Sequence, residues 1–368
     1  MRLHLGHHFY GAGNLGDDFM LAGFLGALPT LAPGATCTCC VPFDLTPLRA
    51  RFPEIEWLPC DVESRARAIA ASDAWIGLGG SPFQNALSRW FVDHLLGDAD
   101  LCAAHRKPML YLGVGVQTTT ELDLPDTRAL LRRASGIWTR DTASAARLAA
   151  LPAAPPVTAG ADLSHLFFAA TPPPTAVTGR LAFVTNFDYG SWPGQPHALA
   201  CARALPASDR VWLAQESRPL PGAELALHAA LPPTERTRWR LVSPEIPGAP
   251  LAAVLAAWPS AAWLVTSRFH AAITGAWAGS RVLVVTTNEK LRGLAADLAL
   301  PTLAPDADAP STAAAFAALA PSAGLAASPA STLPPAGAPA RLAALARQAH
   351  DAVAACLAAA RSAVAAPR

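Results

Sequence analysis

The chain has 368 residues, enough for two domains of ordinary size, each with its own core. Its formal net charge is +1, charged residues make up only 15% of it, and no basic run extends beyond short pairs such as Arg132 and Arg133, so nothing favours nucleic acid as a partner. No apolar run is long enough to span a bilayer, and MRLHLGHHFYGAG lacks the apolar core and cleavage pattern of a signal peptide, so the expected compartment is the cytoplasm.

Residues 2–10 read as a strand, followed by the loop Gly11-Ala12-Gly13-Asn14-Leu15-Gly16 and a helix with Leu21, Phe24, Leu25 and Leu28 on one face. The loop matches G-x-G-x-x-G, but Asp17 and Asp18 on the first helical turn repel a pyrophosphate there. A carboxylate at a helix start is held ionised and is suited to accept a hydroxyl proton, or it simply complements the helix dipole; both readings of Asp18 stay open. The next strand, 35–42, carries Cys37, Cys39 and Cys40; with no histidine nearby in sequence they read as buried small hydrophobes, and an odd total of seven cysteines suggests free thiols.

The alternation continues with a helix over 62–72 and a strand over 73–78 that ends in the turn Gly77-Leu78-Gly79-Gly80-Ser81-Pro82. A helix follows near 86–104, then a strand over 108–114 and a second glycine turn at Gly113-Val114-Gly115. Ile137-Trp138-Thr139-Arg140-Asp141 runs from strand into helix with Arg140 at the junction. Strand ends on one edge of a parallel sheet thus carry glycine or charge, where open α/β folds bind ligands. Prolines at 152, 155, 156 and 172–174 mark the passage to a second series, with strands expected at 180–185, 209–214, 240–243, 261–266 and 281–286 and helices between them. The expected organisation is a first domain over 1–168, a linker over 169–179, a second domain over 180–304 and an Ala/Pro-rich linker over 305–339. A terminal helix over 340–368 packs back on the body through Leu342, Leu345, Ala349, Val353, Leu357 and Val364.

The stretch TSRFHAAITGAWAG, Thr266 to Gly279, follows a buried strand and opens a helix with Ser267 as the expected cap. First-turn N–H groups and the Arg268 fork make an anion site, and His270 can give or take a proton beside it.

Taken together, GAGNLGDDFM, IGLGGS, LYLGVGV, IWTRDTASAARL and SRFHAAITGAWAGSRVLVVTTNEKLRGLAADL resemble the polysaccharide pyruvyl transferase family over roughly 3–162 and 262–300. The resemblance implies an α/β, GT-B-like fold, two Rossmann-like domains with parallel sheets facing a central cleft. It also implies transfer of the pyruvyl unit of phosphoenolpyruvate, as a ketal, to a sugar or lipid-linked glycan, with release of phosphate. On that reading Arg268 and His270 meet the donor, Arg140 falls on the family's RD element and Asp18 on a loop facing the acceptor. Two anionic groups on the donor call for at least two cations, from Arg140, Arg268 and Lys290 or Arg292. His270 is then the acid and Asp18 the base, with Ser267, Asn14, Gly16, Gly79 and Gly80 lining the substrates. No cofactor and no metal is expected, and any contact with the inner membrane is peripheral. Other readings remain: a GT-B glycosyltransferase using a nucleotide sugar, a non-catalytic member, or a Rossmann dehydrogenase, for which Asp44 comes later than the usual spacing of about 20 residues.

Overall fold

The computed structural model describes residues 1–83, 89–116, 122, 124–152, 154–185, 198–199, 202–203, 205, 207–217, 224–319 and 337–365. Two parallel sheets organise them. The first contains β1 (Arg2–Leu5), β2 (Thr36–Val41), β3 (Ile55–Pro59), β4 (Ala74–Leu78), β5 (Met109–Val114), β6 (Gly136–Thr139) and β7 (Val157–Ala159), in the order β3-β2-β1-β4-β5-β6-β7. The second contains β8 (Val177–Val184), β9 (Asp209–Leu213), β10 (Arg240–Val242), β11 (Ala261–Thr266), β12 (Arg281–Val285) and β13 (Thr302–Leu303), in the order β10-β9-β8-β11-β12-β13. Strands such as AWIGL and MLYLGV are buried at every position, as sheets covered by helices on both faces require. The strand order reverses between β1 and β4 and between β8 and β11, and such switch points open a crevice at the carboxyl ends of the strands. This is the expected fold class, two α/β domains of GT-B-like form.

In the first domain the connecting helices are α1 (Leu15–Leu31), α2 (Leu45–Arg51), α3 (Val62–Ala71), α4 (Trp90–Ala104), α5 (Pro125–Arg133), α6 (Thr142–Ala149) and α7 (Ser164–Ala169). In the second they are α8 (Glu224–Ala229), α9 (Pro233–Arg236), α10 (Leu251–Ala256), α11 (Phe269–Trp277), α12 (Glu289–Leu298) and α13 (Ala309–Leu319). The last helix, α14 (Ala338–Ala365), returns to α1, α7, β5 and β6 and buries Ala349, Val353, Cys356, Leu357 and Ala360. One apolar cluster therefore runs from α1 through α7 and α11 to α14.

Several boundaries differ from expectation. β1 stops at Leu5, because the rings of His7 and His8 turn to the carbonyl oxygens of Leu78 (3.0 Å) and Cys40 (2.8 Å) and end the extended run. The short strands β3, β7 and β13 add edges that no strong apolar run announces. Within the expected linker 305–339, residues 309–319 form α13; 320–336 lie outside the described residues, as do 84–88 at the start of the expected helix over 86–104. Val364 is exposed, since the buried face of α14 ends at Ala360. Cys37, Cys39 and Cys40 are buried free thiols.

Candidate active site

Strand ends of the two domains meet directly. The loop after β1 pairs with the chain after β9: Leu15 N–H donates to the Gln215 carbonyl (3.3 Å) and Ser217 N–H to that of Gly13 (2.9 Å). Asn14 caps α1, its Oδ1 accepting from Gly16 N–H (3.2 Å) while its amide donates to Asp17 (2.9 Å). Gly16 is required by the opposite domain: a Cβ there would lie 2.0 Å from His270 Nδ1. The glycine loop is thus a joint between domains rather than a dinucleotide cradle.

Asp18 is fully buried and engaged at both oxygens. Oδ1 accepts from Gly11 N–H (2.7 Å) and Oδ2 from Arg51 (2.5 Å). Arg51 also reaches Glu245 (3.1 Å) and the carbonyl oxygens of Ile246 (2.5 Å) and Ala249 (2.8 Å) in the second domain. Burial pushes the Asp18 carboxyl up, against the pull of Arg51. This geometry is a clasp between domains, and it corrects the reading of Asp18 as the base for an acceptor hydroxyl.

Arg268 ends β11 as the N-cap residue of α11. Ser267 is buried but does not cap the helix; the Thr266 hydroxyl accepts from Arg268 N–H (2.9 Å) and turns the chain out of the strand. The Arg268 guanidinium points at two glutamates, Glu216 (2.6 Å) and Glu224 (2.8 Å), with a second, closer contact from its Nε to Glu224. Burial alone would lower its pKa, but Glu224 and Glu216 outweigh burial and raise it. Glu224 is pushed up by burial, opposed by Arg268. A cation held by two buried carboxylates is neutralised, so the expected donor anion at Arg268 loses its partner.

The next turn differs. His270 Nε2 lies 3.4 Å from Asp162 Oδ1, joining α11 to the loop after β7. The same Asp162 oxygen accepts from Ser164 N–H (3.0 Å) and hydroxyl (2.7 Å), while its buried Oδ2 has no hydrogen-bond partner. Burial works against the charged form of Asp162, but His270, Arg140 and His165 hold it well below the usual carboxylate range. Burial pushes neighbouring His165 down to about 4, opposed by Asp162.

Arg140, at the end of β6, is buried beside this pair. It donates to Ser81 Oγ (3.0 Å) and lies 4.6 Å from the centre of the Phe269 ring; its buried Nε makes no hydrogen bond but stands 3.9 Å from Asp141 Oδ2. Its guanidinium occupies space that only glycine leaves open, for a Cβ on Gly115 would come within 2.3 Å of Nε. Gly79 and Gly80 have φ of +71° and +73° and pack under Met20 and Phe9, so they shape the turn that presents Ser81. Lys290 is half-buried on the first turn of α12, next to Glu289, which pairs with Arg147 of the first domain.

The structure therefore gathers Arg140, Asp162, His165 and His270 in one buried cluster where the two domains meet, and places Asp18 and Arg268 in closed ion-pair networks. Sequence reasoning missed Asp162, and also Gln215, a fully buried amide beside the glycine loop whose Nε2 and Oε1 both lack hydrogen-bond partners. The signal for Asp162 was its place just after a strand-like VTAG run; for Gln215 it was the end of VWLA.

No family model and no curated protein matches the chain. Solved structures share its fold. A crystal structure of Anabaena HepE in complex with UDP-glucose aligns at 10% identity over 99% of this chain and 98% of its own, with a TM-score of 0.56. The UDP-GlcNAc 2-epimerase from Neisseria meningitidis bound to UDP-GlcNAc aligns at 10% identity over 98% and 100%, also at 0.56. An alpha-glucosyltransferase in complex with UDP aligns at 8% identity over 96% and 94%, at 0.50. These neighbours, solved with UDP-glucose, UDP-GlcNAc or UDP, correct the expectation of a phosphoenolpyruvate-dependent pyruvyl transferase, and the arginine meant for that donor is occupied by Glu216 and Glu224. Among the described residues no helix is long and apolar enough to cross a membrane.

Proposed function

We propose that the protein is a nucleotide-sugar enzyme that binds a nucleoside diphosphate sugar between its two domains and acts at the bond joining sugar to diphosphate. The observation that carries this reading is the convergence of Arg140, Asp162 and His270 at facing strand ends, with Arg140 Nε and Asp162 Oδ2 buried and making no hydrogen bond. The GT-B-like architecture and the UDP-bound neighbours support the choice of donor class.

Cleavage of that bond leaves negative charge on the diphosphate. Arg140 and the N-terminal turn of α11 offset that charge, in a buried setting where charge-assisted hydrogen bonds are strong. His270 moves the proton, and Asp162 orients its ring and stabilises the imidazolium that forms when it accepts one. Either reaction class would balance here: in transfer the acceptor hydroxyl gives its proton to His270 as its oxygen bonds the anomeric carbon released by the diphosphate, and in epimerisation the sugar itself gives up the proton from the adjacent carbon as the diphosphate leaves.

The test is calorimetric titration with UDP, UDP-glucose and UDP-GlcNAc, followed by mass and NMR analysis of the products. Binding of the UDP ligands is expected to raise the melting temperature, with a gain of about 2.7 kcal/mol at a hundredfold excess over Kd. If no nucleoside diphosphate sugar binds at millimolar concentration, the reading fails.

A further inference from the structure

A second cluster of chemically capable side chains lies in the first domain, on elements that supply nothing to the Arg140 and His270 cluster. His8 follows β1, Cys60 follows β3, and His94 sits on the second turn of α4. Their side chains touch. Cys60 Sγ lies 3.3 Å from His94 Nε2 and 3.6 Å from His8 Nδ1, and the two imidazole rings are 3.6 Å apart between centres, inclined at 73°. One ligand atom from each of the three falls within 4.8 Å of the other two.

The surroundings fix how these groups present themselves. His8 Nδ1 is 2.8 Å from the Cys40 carbonyl oxygen, which can only accept, so Nδ1 carries the proton and Nε2 keeps its lone pair. That Nε2 is buried and has no hydrogen-bond partner. An imidazole anchored through one nitrogen to a backbone carbonyl, with the other nitrogen bare, is the form in which histidine binds a metal. Asp98 stands 3.8 Å from His8 Nε2 and is itself held by Arg65 (3.0 and 2.5 Å) and by the Trp75 indole N–H (3.0 Å). Arg65 also donates to the His94 carbonyl (3.0 Å), tying α3 to α4 behind the cluster.

The donor set and its spacing select the ion. Two neutral imidazoles and a thiol suit a borderline-soft divalent cation, and ligand atoms about 2.0 to 2.3 Å from a tetrahedral zinc lie roughly 3.5 Å from one another. The Cys60 Sγ to His94 Nε2 separation is already close to that value, and a ligand atom of His8 lies within 4.8 Å of both. His8 is fully buried while Cys60 and His94 are half-buried, so the cluster opens to solvent on one side. We propose that His8, Cys60 and His94 form a zinc site with three protein ligands and a fourth position open to water. This site stands independently of the nucleotide-sugar reading.

The full chain, stripped with a chelator and titrated with Co2+ alone, tests it. Binding of about one ion per chain is expected, with a thiolate-to-cobalt charge-transfer band, the intense visible absorption of a tetrahedral ion, and displacement by Zn2+. Cys60→Ser should abolish the charge-transfer band, and Cys102→Ser, which removes a buried thiol outside the cluster, should leave it intact. The proposal is overturned if the folded wild-type protein gives no such band, or if the band survives in Cys60→Ser. Should Cys60→Ser not fold, His94→Gln decides: a Zn2+ affinity roughly tenfold lower or less, in competition with a chromophoric chelator, supports the site, and an unchanged affinity overturns it.

Discussion

Arg268 and Arg140 both stand where a strand of a parallel sheet gives way to a helix, and both are buried, yet their surroundings make them different objects. Arg268 has two glutamates within hydrogen-bond distance; Arg140 hydrogen-bonds one serine hydroxyl, faces an aromatic ring, and has the Asp141 carboxylate only at 3.9 Å from its Nε. Arg51, with two carboxylates and two carbonyl oxygens, belongs with Arg268. A buried guanidinium saturated by its own protein fixes geometry between elements. One whose nearest carboxylate stands at ion-pair distance without a hydrogen bond keeps donor capacity for a further acceptor. The lesson is that charge and position on a strand end do not identify a ligand site; the balance of partners does.

The largest effect expected from this contrast is on stability. Arg268→Ala strands Glu216 and Glu224 as buried unpaired carboxylates and should cost about 3 to 5 kcal/mol in urea unfolding. Replacing both glutamates by glutamine in the same chain should recover part of that loss. An Arg268→Ala protein of normal stability that no longer binds UDP would reverse the assignment of the two arginines.

Next comes catalysis at the Arg140, Asp162 and His270 cluster. His270→Gln is expected to lower turnover of the nucleotide sugar by roughly a hundredfold or more while the melting temperature stays near that of the wild type. Asp18→Asn, by contrast, should act on stability, because it weakens the pair with Arg51 and lies outside the cluster. Steady-state rates alongside melting curves for the two variants separate these outcomes, and a catalytic loss confined to Asp18→Asn would restore it as a base.

Arg140→Gln should weaken UDP binding by about 1.5 to 3 kcal/mol, the worth of a hydrogen bond to a charged group, with little change in urea midpoint. Calorimetry reads the first and denaturation the second. Equal losses in both would place Arg140 among the structural arginines.

The most gradual effect is expected on pH dependence. Burial depresses His4 to about 3 and His165 to about 4, so below the ordinary value of 6.5 the unfolded chain binds protons that the folded chain refuses. Stability is therefore complete above pH 6.5 and declines as pH falls toward 4, by at most about 1.4 kcal/mol per pH unit for each histidine. Urea unfolding at pH 7, 6 and 5 checks this, and His165→Gln should flatten the decline by that ring's share. A stability unchanged from pH 7 to 5 would show that neither ring is held neutral by burial.

What the amino-acid sequence determined by itself was the local grammar. Buried strands, glycine turns at their ends and helices with apolar faces follow from periodicity and backbone permissiveness, which are properties of neighbouring residues. Those features sufficed for two parallel-sheet domains and for naming Arg140 at a strand end and His270 at the start of a helix. Only the tertiary structure decided which charges were spent. Glu216 and Glu224 lie 52 and 44 residues from Arg268, and Asp18 lies 33 from Arg51, so their pairing depends on strand order and on how the domains meet. The same holds for Asp162 beside His270, and for His8, Cys60 and His94, which three separate elements bring together. A side chain's type is written at one position. Whether its charge is free or neutralised depends on residues far along the chain, because Coulomb attraction and desolvation act through space.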